Sequence, residues 1–289
     1  MKKYVISIII FFIIILLAIG GYFMYSNIMN NKSNDMKSLQ EKSLAEIDFL
    51  DTSITSMMNG LNNISYNNYR IVSEEVNVSN EQQGNSNESQ SAEGSSTNEQ
   101  SSIKSSNVTN NDILSGNNNK VNWDNLKSEV ENMYDSWTTI LIDLTTLNVN
   151  KENLLKFNST LDQIVKDLDN EDKSSSLVHI ADLYNLLTLY MQDFAADREE
   201  TKIYNVKSNI LYAYSFVETD EWNNVKTYVG NAKNEFSNIL NNQVNNKNSI
   251  DEINKAYILI NELEEDCNTQ NKNVFYVNYR NLMQELENI

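Results

Sequence analysis

The chain has 289 residues, with 40 acidic against 22 basic side chains and a formal net charge of −18. Phosphate repulsion at that charge opposes binding to nucleic acid, and it equally opposes lying flat on anionic lipid. One cysteine, one histidine and no proline exclude an internal disulfide and fit long uninterrupted helices, since proline breaks helices and punctuates loops.

Residues 4–25, from Tyr4 to Tyr25, carry no charge and are dominated by Ile, Leu and Phe. At about 1.5 Å per residue such a helix reaches roughly 33 Å, enough to cross a ~30 Å hydrocarbon core. The apolar run exceeds that of a cleaved signal peptide, and Ala18-Ile19-Gly20-Gly21 is followed at once by more apolar residues. The reading is an uncleaved transmembrane signal anchor. Lys2 and Lys3 then keep residues 1–3 in the cytoplasm, and the C-terminal remainder lies outside the plasma membrane.

Residues 26–34 form a polar neck. Residues 35–70 are expected to be a juxtamembrane amphipathic helix, with Ile47, Leu50, Ile54, Met57, Leu61 and Ile64 spaced 3-4-3-4-3. A 3.5-residue repeat makes a narrow stripe that needs a partner helix. Two partners fit: residues 126–147 of the same chain, or a second copy, giving a homo-oligomer through residues 47–64. Residues 71–120 are rich in Asn, Ser, Glu and Gln and nearly without large apolar side chains. They are expected to be a disordered polar linker, longer than two antiparallel helices need for their connection.

Residues 121–289 are expected to form an extracytoplasmic helical domain. One stripe runs Leu126, Val130, Met133, Trp137, Ile140, Leu144, Leu147, and the next runs Leu154, Phe157, Leu161, Ile164, Leu168. A third, behind the cap candidates Ser174 to Ser176, runs Leu177, Ile180, Tyr184, Leu187, Met191, Phe194. Ile203 to Val217, Trp222 to Ile239, Ile253 to Cys267 and Phe275 to Leu286 supply four more. Short polar joints at 148–150, 169–172 and 243–249 imply antiparallel neighbours. The fold class is all-α: an N-terminal transmembrane helix, then helical hairpins packed as a bundle or a short α-solenoid.

In the hairpin from Asn205 to Asn241, Tyr214, Trp222 and Ala232 sit roughly as in a tetratricopeptide unit, which this hairpin resembles. Val225 and Val229 replace the small residues of that motif, and its Trp…Leu-Gly pattern is absent. Met57-Met58-Asn59, Ser136-Trp137-Thr138-Thr139 and Val277-Asn278-Tyr279-Arg280-Asn281-Leu282-Met283 give a wider likeness. With the overall layout, the chain resembles uncharacterised, N-terminally anchored exported helical proteins of low-GC Gram-positive bacteria. That resemblance implies no known activity.

Candidate chemistry is sparse. His179 lacks the Glu three residues earlier that a di-iron bundle helix requires, since residue 176 is Ser. Asp167, Asp169, Glu171 and Asp172 form an acidic joint, but a calcium loop counted from Asp167 would place Gly and Glu where Asp172 and Val178 stand. Glu262, Glu264, Glu265 and Asp266 read as the polar face of one helix. Cys267 continues an apolar stripe, and its acidic neighbours disfavour a thiolate. Tyr184, Tyr190, Tyr212 and Tyr214 fit either core packing or a ligand groove between hairpins. No phosphate-binding glycine loop, nucleophile elbow or His-Glu-x-x-His occurs. The expectation is therefore a protein that is not an enzyme, with no metal or cofactor, acting on an unknown protein partner at the cell surface. The rival expectation is a ligand or ion sensor working through a membrane partner.

Overall fold

A computed structural model describes residues 34–62, 64, 120–242 and 250–289. The anchor at 4–25, most of the neck and nearly all of the linker lie outside the described residues. Among the described residues no helix is long and apolar enough to cross a membrane.

The described chain is all-helical, with no strand. Helix α1 covers 34–60. It is followed by α2 (Trp123–Thr146), α3 (Lys151–Asp169), α4 (Lys173–Ala195), α5 (Glu199–Val217), α6 (Trp222–Asn242), α7 (Ile250–Thr269) and α8 (Lys272–Leu286). Every stripe residue of α2 and α3 read from the sequence is buried.

The helices begin where a side chain can satisfy free backbone N–H groups. Asn122 accepts from Asn125 N, Asn150 from Glu152 and Asn153 N, Asp172 from Ser175 N, and Asn271 from Val274 N. The cap of α4 is thus Asp172, and Ser174 to Ser176 lie inside the first turn. A carboxylate accepts there without donating, and it also meets the positive end of the helix dipole. Backbone N–H donation holds the Asp172 carboxyl below the usual range.

The turns share one device. Asn148, Glu171, Asp220 and Gln270 each take a left-handed conformation, with φ of 62°, 53°, 61° and 55°. In three of them the next N–H reaches back five residues: Val149 to Leu144 O, Asp172 to Asp167 O and Glu221 to Phe216 O. This closes the helix end and reverses the chain within a few residues, so sequential helices pack antiparallel.

Cross-helix contacts confirm the register. Tyr134 donates to Asp162 and Lys127 pairs with Asp169 between α2 and α3. Lys233 pairs with Glu264 between α6 and α7. The succession is not an open row, because α8 folds back against α5. Tyr214 on α5 meets Tyr279 at 4.2 Å and Tyr276 at 5.2 Å between ring centroids. That closure makes the array a bundle.

Helix α1 is part of this bundle. Ile47, Leu50, Ile54, Met57, Met58 and Leu61 are fully buried and belong to the same core cluster as α2–α8. Lys42 pairs with Asp143, and Ser56 donates to Glu129, which sets α1 antiparallel to α2. On other sides, Asp51 pairs with Lys207 of α5, and Asn59 accepts from Tyr279 of α8 at 3.1 Å. Of the two partners the stripe could take, residues 126–147 of the same chain lie beside it. A homo-oligomer through residues 47–64 would have to compete with these intrachain contacts.

A Cβ placed on Gly60 would come within 3.0 Å of Leu126, so the end of α1 abuts the start of α2. The long connector between them leaves and returns at one end of the bundle. Loop-closure entropy grows as (3/2)RT ln n, so cutting about 55 residues to about six should stabilise the fold by about 2 kcal/mol. Replacing residues 66–118 with a six-residue Gly/Ser link is therefore expected to raise the urea midpoint at constant slope. A lower midpoint would show that the connector contributes contacts to the fold.

Candidate functional site

Most of the groups singled out by residue type are held by partners of their own. The ring of His179 meets the buried Asp167 carboxylate at 2.5 Å through Nδ1, and Gln163 donates to the other oxygen of Asp167 at 3.1 Å. Asp169 pairs with Lys127, and Asp172 caps α4. The acidic joint is thus divided among three tasks, and its carboxylates do not converge. Among the described residues no group of three His, Cys, Asp or Glu side chains could hold a metal ion.

On α7, Glu264 pairs with Lys233, Asp266 accepts from Asn278 at 2.8 Å, and Glu265 accepts from Asn268. Cys267 is buried and donates to Leu263 O. Burial first, and then the Asp266 charge, push its thiol up to about 11, away from a nucleophilic thiolate.

The tyrosines divide between the two readings of the sequence in favour of packing. Tyr184, Tyr190 and Tyr214 are fully buried. Tyr190 lies 6.1 Å from Trp137, which itself stacks on Phe157 at 3.8 Å. Tyr212 is half-buried, stacks on Tyr228 at 4.9 Å and donates to Asp182 at 2.7 Å.

A different feature is open to solvent. A cleft of about 860 Å³ runs between residues 41–52 of α1, the α4–α5 corner and the end of α8, with Ile239 of α6 beneath. Its floor is apolar: Met191, Tyr204, Ile239 and Leu286 are buried beneath it, and Leu44, Ile203 and Ile289 are partly exposed along it. Its rim is acidic. Glu41, Asp48, Glu199, Glu200 and Glu287 line it with Asp51, against two cations, Arg198 and Lys207.

Both cations are already engaged. Arg198 binds Glu41 at 2.5 Å and Glu200 at 3.7 Å. Lys207 donates to Asp51 Oδ2 at 2.8 Å, with Thr55 on Oδ1 at 3.3 Å. Among the described residues neither Asp48 nor Glu287 lies within ion-pair distance of a cation, and Lys207 acts on Glu287 from farther off. The Glu287 carboxyl is pushed upward, mainly by burial; Lys207 opposes the rise, and the Asp51 and Asp48 charges add to it. Beside Asp51 lies the Tyr184 hydroxyl, fully buried and without a hydrogen bond within ordinary limits.

Met191, Ile203, Ile239 and Leu286 were read in the sequence only as core stripe positions, and the charged rim did not stand out, because the lining comes from four separated segments. One signal was present in retrospect. Asp51 and Lys207 each sit directly beside a stripe residue, Leu50 and Val206, on helices whose apolar face is wider than one stripe. A second hollow, of about 500 Å³, lies at the α5–α6 and α7–α8 turns among Asp220, Trp222, Asn224 and Gln270. Lys272 already neutralises Asp220 there.

Comparison of the chain with protein-family models, curated proteins and solved structures returns no significant match. The functional reading therefore rests on the geometry of the site.

Proposed function

We propose that the protein is a membrane-anchored, extracytoplasmic helical protein that acts by protein–protein interaction at the cell surface and has no enzymatic activity of its own. Residues 4–25 support the anchor, with Lys2 and Lys3 setting its orientation. Residues 71–120 serve as a linker too poor in apolar side chains to join the core. The observation that carries the interaction reading is the cleft: an apolar floor ringed by carboxylates.

A photo-crosslinking residue at Thr52, which lines the cleft, is expected to give one discrete protein adduct in intact source cells. The same residue at the exposed Glu262 on α7 is expected to give none. Equal adducts at both positions, or none at Thr52, would overturn the reading.

A second reading has one observation in its favour. Helix α1 is both a wall of the cleft and the element nearest the anchor, so an occupant touching Asp48 or Thr52 would bear on the segment leading to the membrane. A ligand or ion sensor working through a membrane partner would use that connection.

A further inference from the structure

Resting on the interaction reading, we infer that the cleft takes a short basic, amphipathic peptide segment of the partner. Its Lys or Arg side chains meet the rim carboxylates, and its apolar side chains lie on the floor.

Charge decides the polarity of the occupant. The two cations of the cleft are spent on Asp51, Glu41 and Glu200, and Glu199 is bridged by Lys202 from outside. Among the described residues Asp48 and Glu287 make no ion pair, and Lys207 acts on Glu287 only as a nearby charge; one stands on α1 and the other at the end of α8. An anionic occupant, or a second copy of this strongly acidic chain, would add repulsion at close range.

Spacing decides the form of the charge. No three carboxylates in the described structure are grouped tightly enough for a metal ion. Their distribution along the rim suits cations spread along a chain. The volume of about 860 Å³ lies within the ~300–1,000 Å³ that holds a compact ligand or the side chains of a few residues. The floor decides the rest. Leu44, Ile203 and Ile289 stay partly exposed over a buried apolar layer, and covering them removes apolar surface from water. A purely polar cation would leave that surface wet.

The probe is a fluorescein-labelled 14-residue peptide of Leu and Lys with its leucines at 3-4 spacing. It is titrated by anisotropy against the detergent-solubilised full chain at about 0.15 M salt, where long-range attraction is screened. Binding is expected, with at least tenfold weakening in the triple variant Asp48→Asn, Glu200→Gln, Glu287→Gln. The triple variant Glu131→Gln, Glu171→Gln, Glu262→Gln removes as many charges from outer faces and is expected to change affinity less than twofold. A Leu/Glu peptide and a Lys/Ser peptide are both expected to bind at least tenfold more weakly than Leu/Lys. Urea unfolding of both variants checks that each remains folded.

Equal weakening by the two triple variants would overturn the inference, since the attraction would then belong to net charge. Equal binding of the Lys/Ser peptide would also overturn it, by removing the floor from the interaction. Absence of Leu/Lys binding while the Thr52 adduct persists would overturn the peptide chemistry and leave the interaction reading standing. Loss of that adduct would bring down the reading itself.

Discussion

Leu50→Asp is expected to abolish the cooperative unfolding transition. Leu50 is fully buried at the centre of the α1 stripe, within the core shared with α2–α8. Truncating a buried leucine alone costs about 2–5 kcal/mol. The new carboxyl must in addition be either buried as an unpaired charge or held protonated, and each unit by which its pKa is raised costs about 1.4 kcal/mol. The sum reaches the whole stability of a typical domain, about 5–15 kcal/mol. Phe49→Asp, at the exposed neighbouring position, should change stability by less than about 1 kcal/mol. Circular-dichroism melts with light scattering separate the outcomes. A variant that kept its cooperative melt while a wild-type dimer dissociated would show that the stripe serves a second copy.

Lys207→Met alone is expected to lower stability by about 3–5 kcal/mol, as breaking a buried ion pair from one side does. The two side chains are 6% and 9% exposed and meet at 2.8 Å. Without the ammonium, Asp51 keeps the Thr55 hydroxyl and the nearby Tyr184 hydroxyl but no cation, and Asp48 and Glu287 remain as nearby negative groups. Adding Asp51→Leu to Lys207→Met should recover most of the loss, because a well-packed apolar pair is often as stable as the ion pair it replaces. Urea unfolding of the two singles and the double, completed as a mutant cycle, gives the coupling.

The pH response of the Lys207→Met variant follows from Glu287. Its folded carboxyl already sits above its ordinary value, and loss of Lys207 removes the one influence that lowers it. A carboxyl raised in the folded state costs stability above its unfolded pKa, and that cost is relieved as pH falls through the folded value. The deficit of Lys207→Met against wild type should therefore shrink as pH falls from neutrality toward the ordinary glutamate range. A deficit that stayed constant would mean that Glu287 does not feel the lost charge.

The all-α class and the core positions were legible in the sequence because they depend on periodicity. A 3-4 spacing such as Leu154, Phe157, Leu161, Ile164, Leu168 leaves one face of a helix to hide, and all five are buried. Caps were legible in position and less so in identity. Three serines look like a cap before Leu177, yet Asp172 takes the place because the turn ends there, with Glu171 in the left-handed conformation. The burial of α5 goes beyond its stripe. Ile203, Val206, Ile210, Ala213 and Val217 predict one covered face, but Tyr204, Lys207, Ser208, Leu211, Tyr214 and Ser215 are buried too. That wider cover comes from α4, α6, α8 and α1 around it, which local periodicity cannot register.

By itself, then, the sequence determined the main apolar stripe of each helix and the strongly acidic character of the whole. It also carries the uncharged run at 4–25 on which the proposed anchor rests. Only the tertiary structure decided that α1 finds its partner within the chain, that α8 returns to α5, and that Asp51 meets Lys207 across 156 residues of sequence. The physical reason is the range of the forces. Hydrophobic periodicity and capping act over one or two turns and are written locally. A groove exists only where segments remote in sequence are brought side by side, and its charge balance is the sum over all of them.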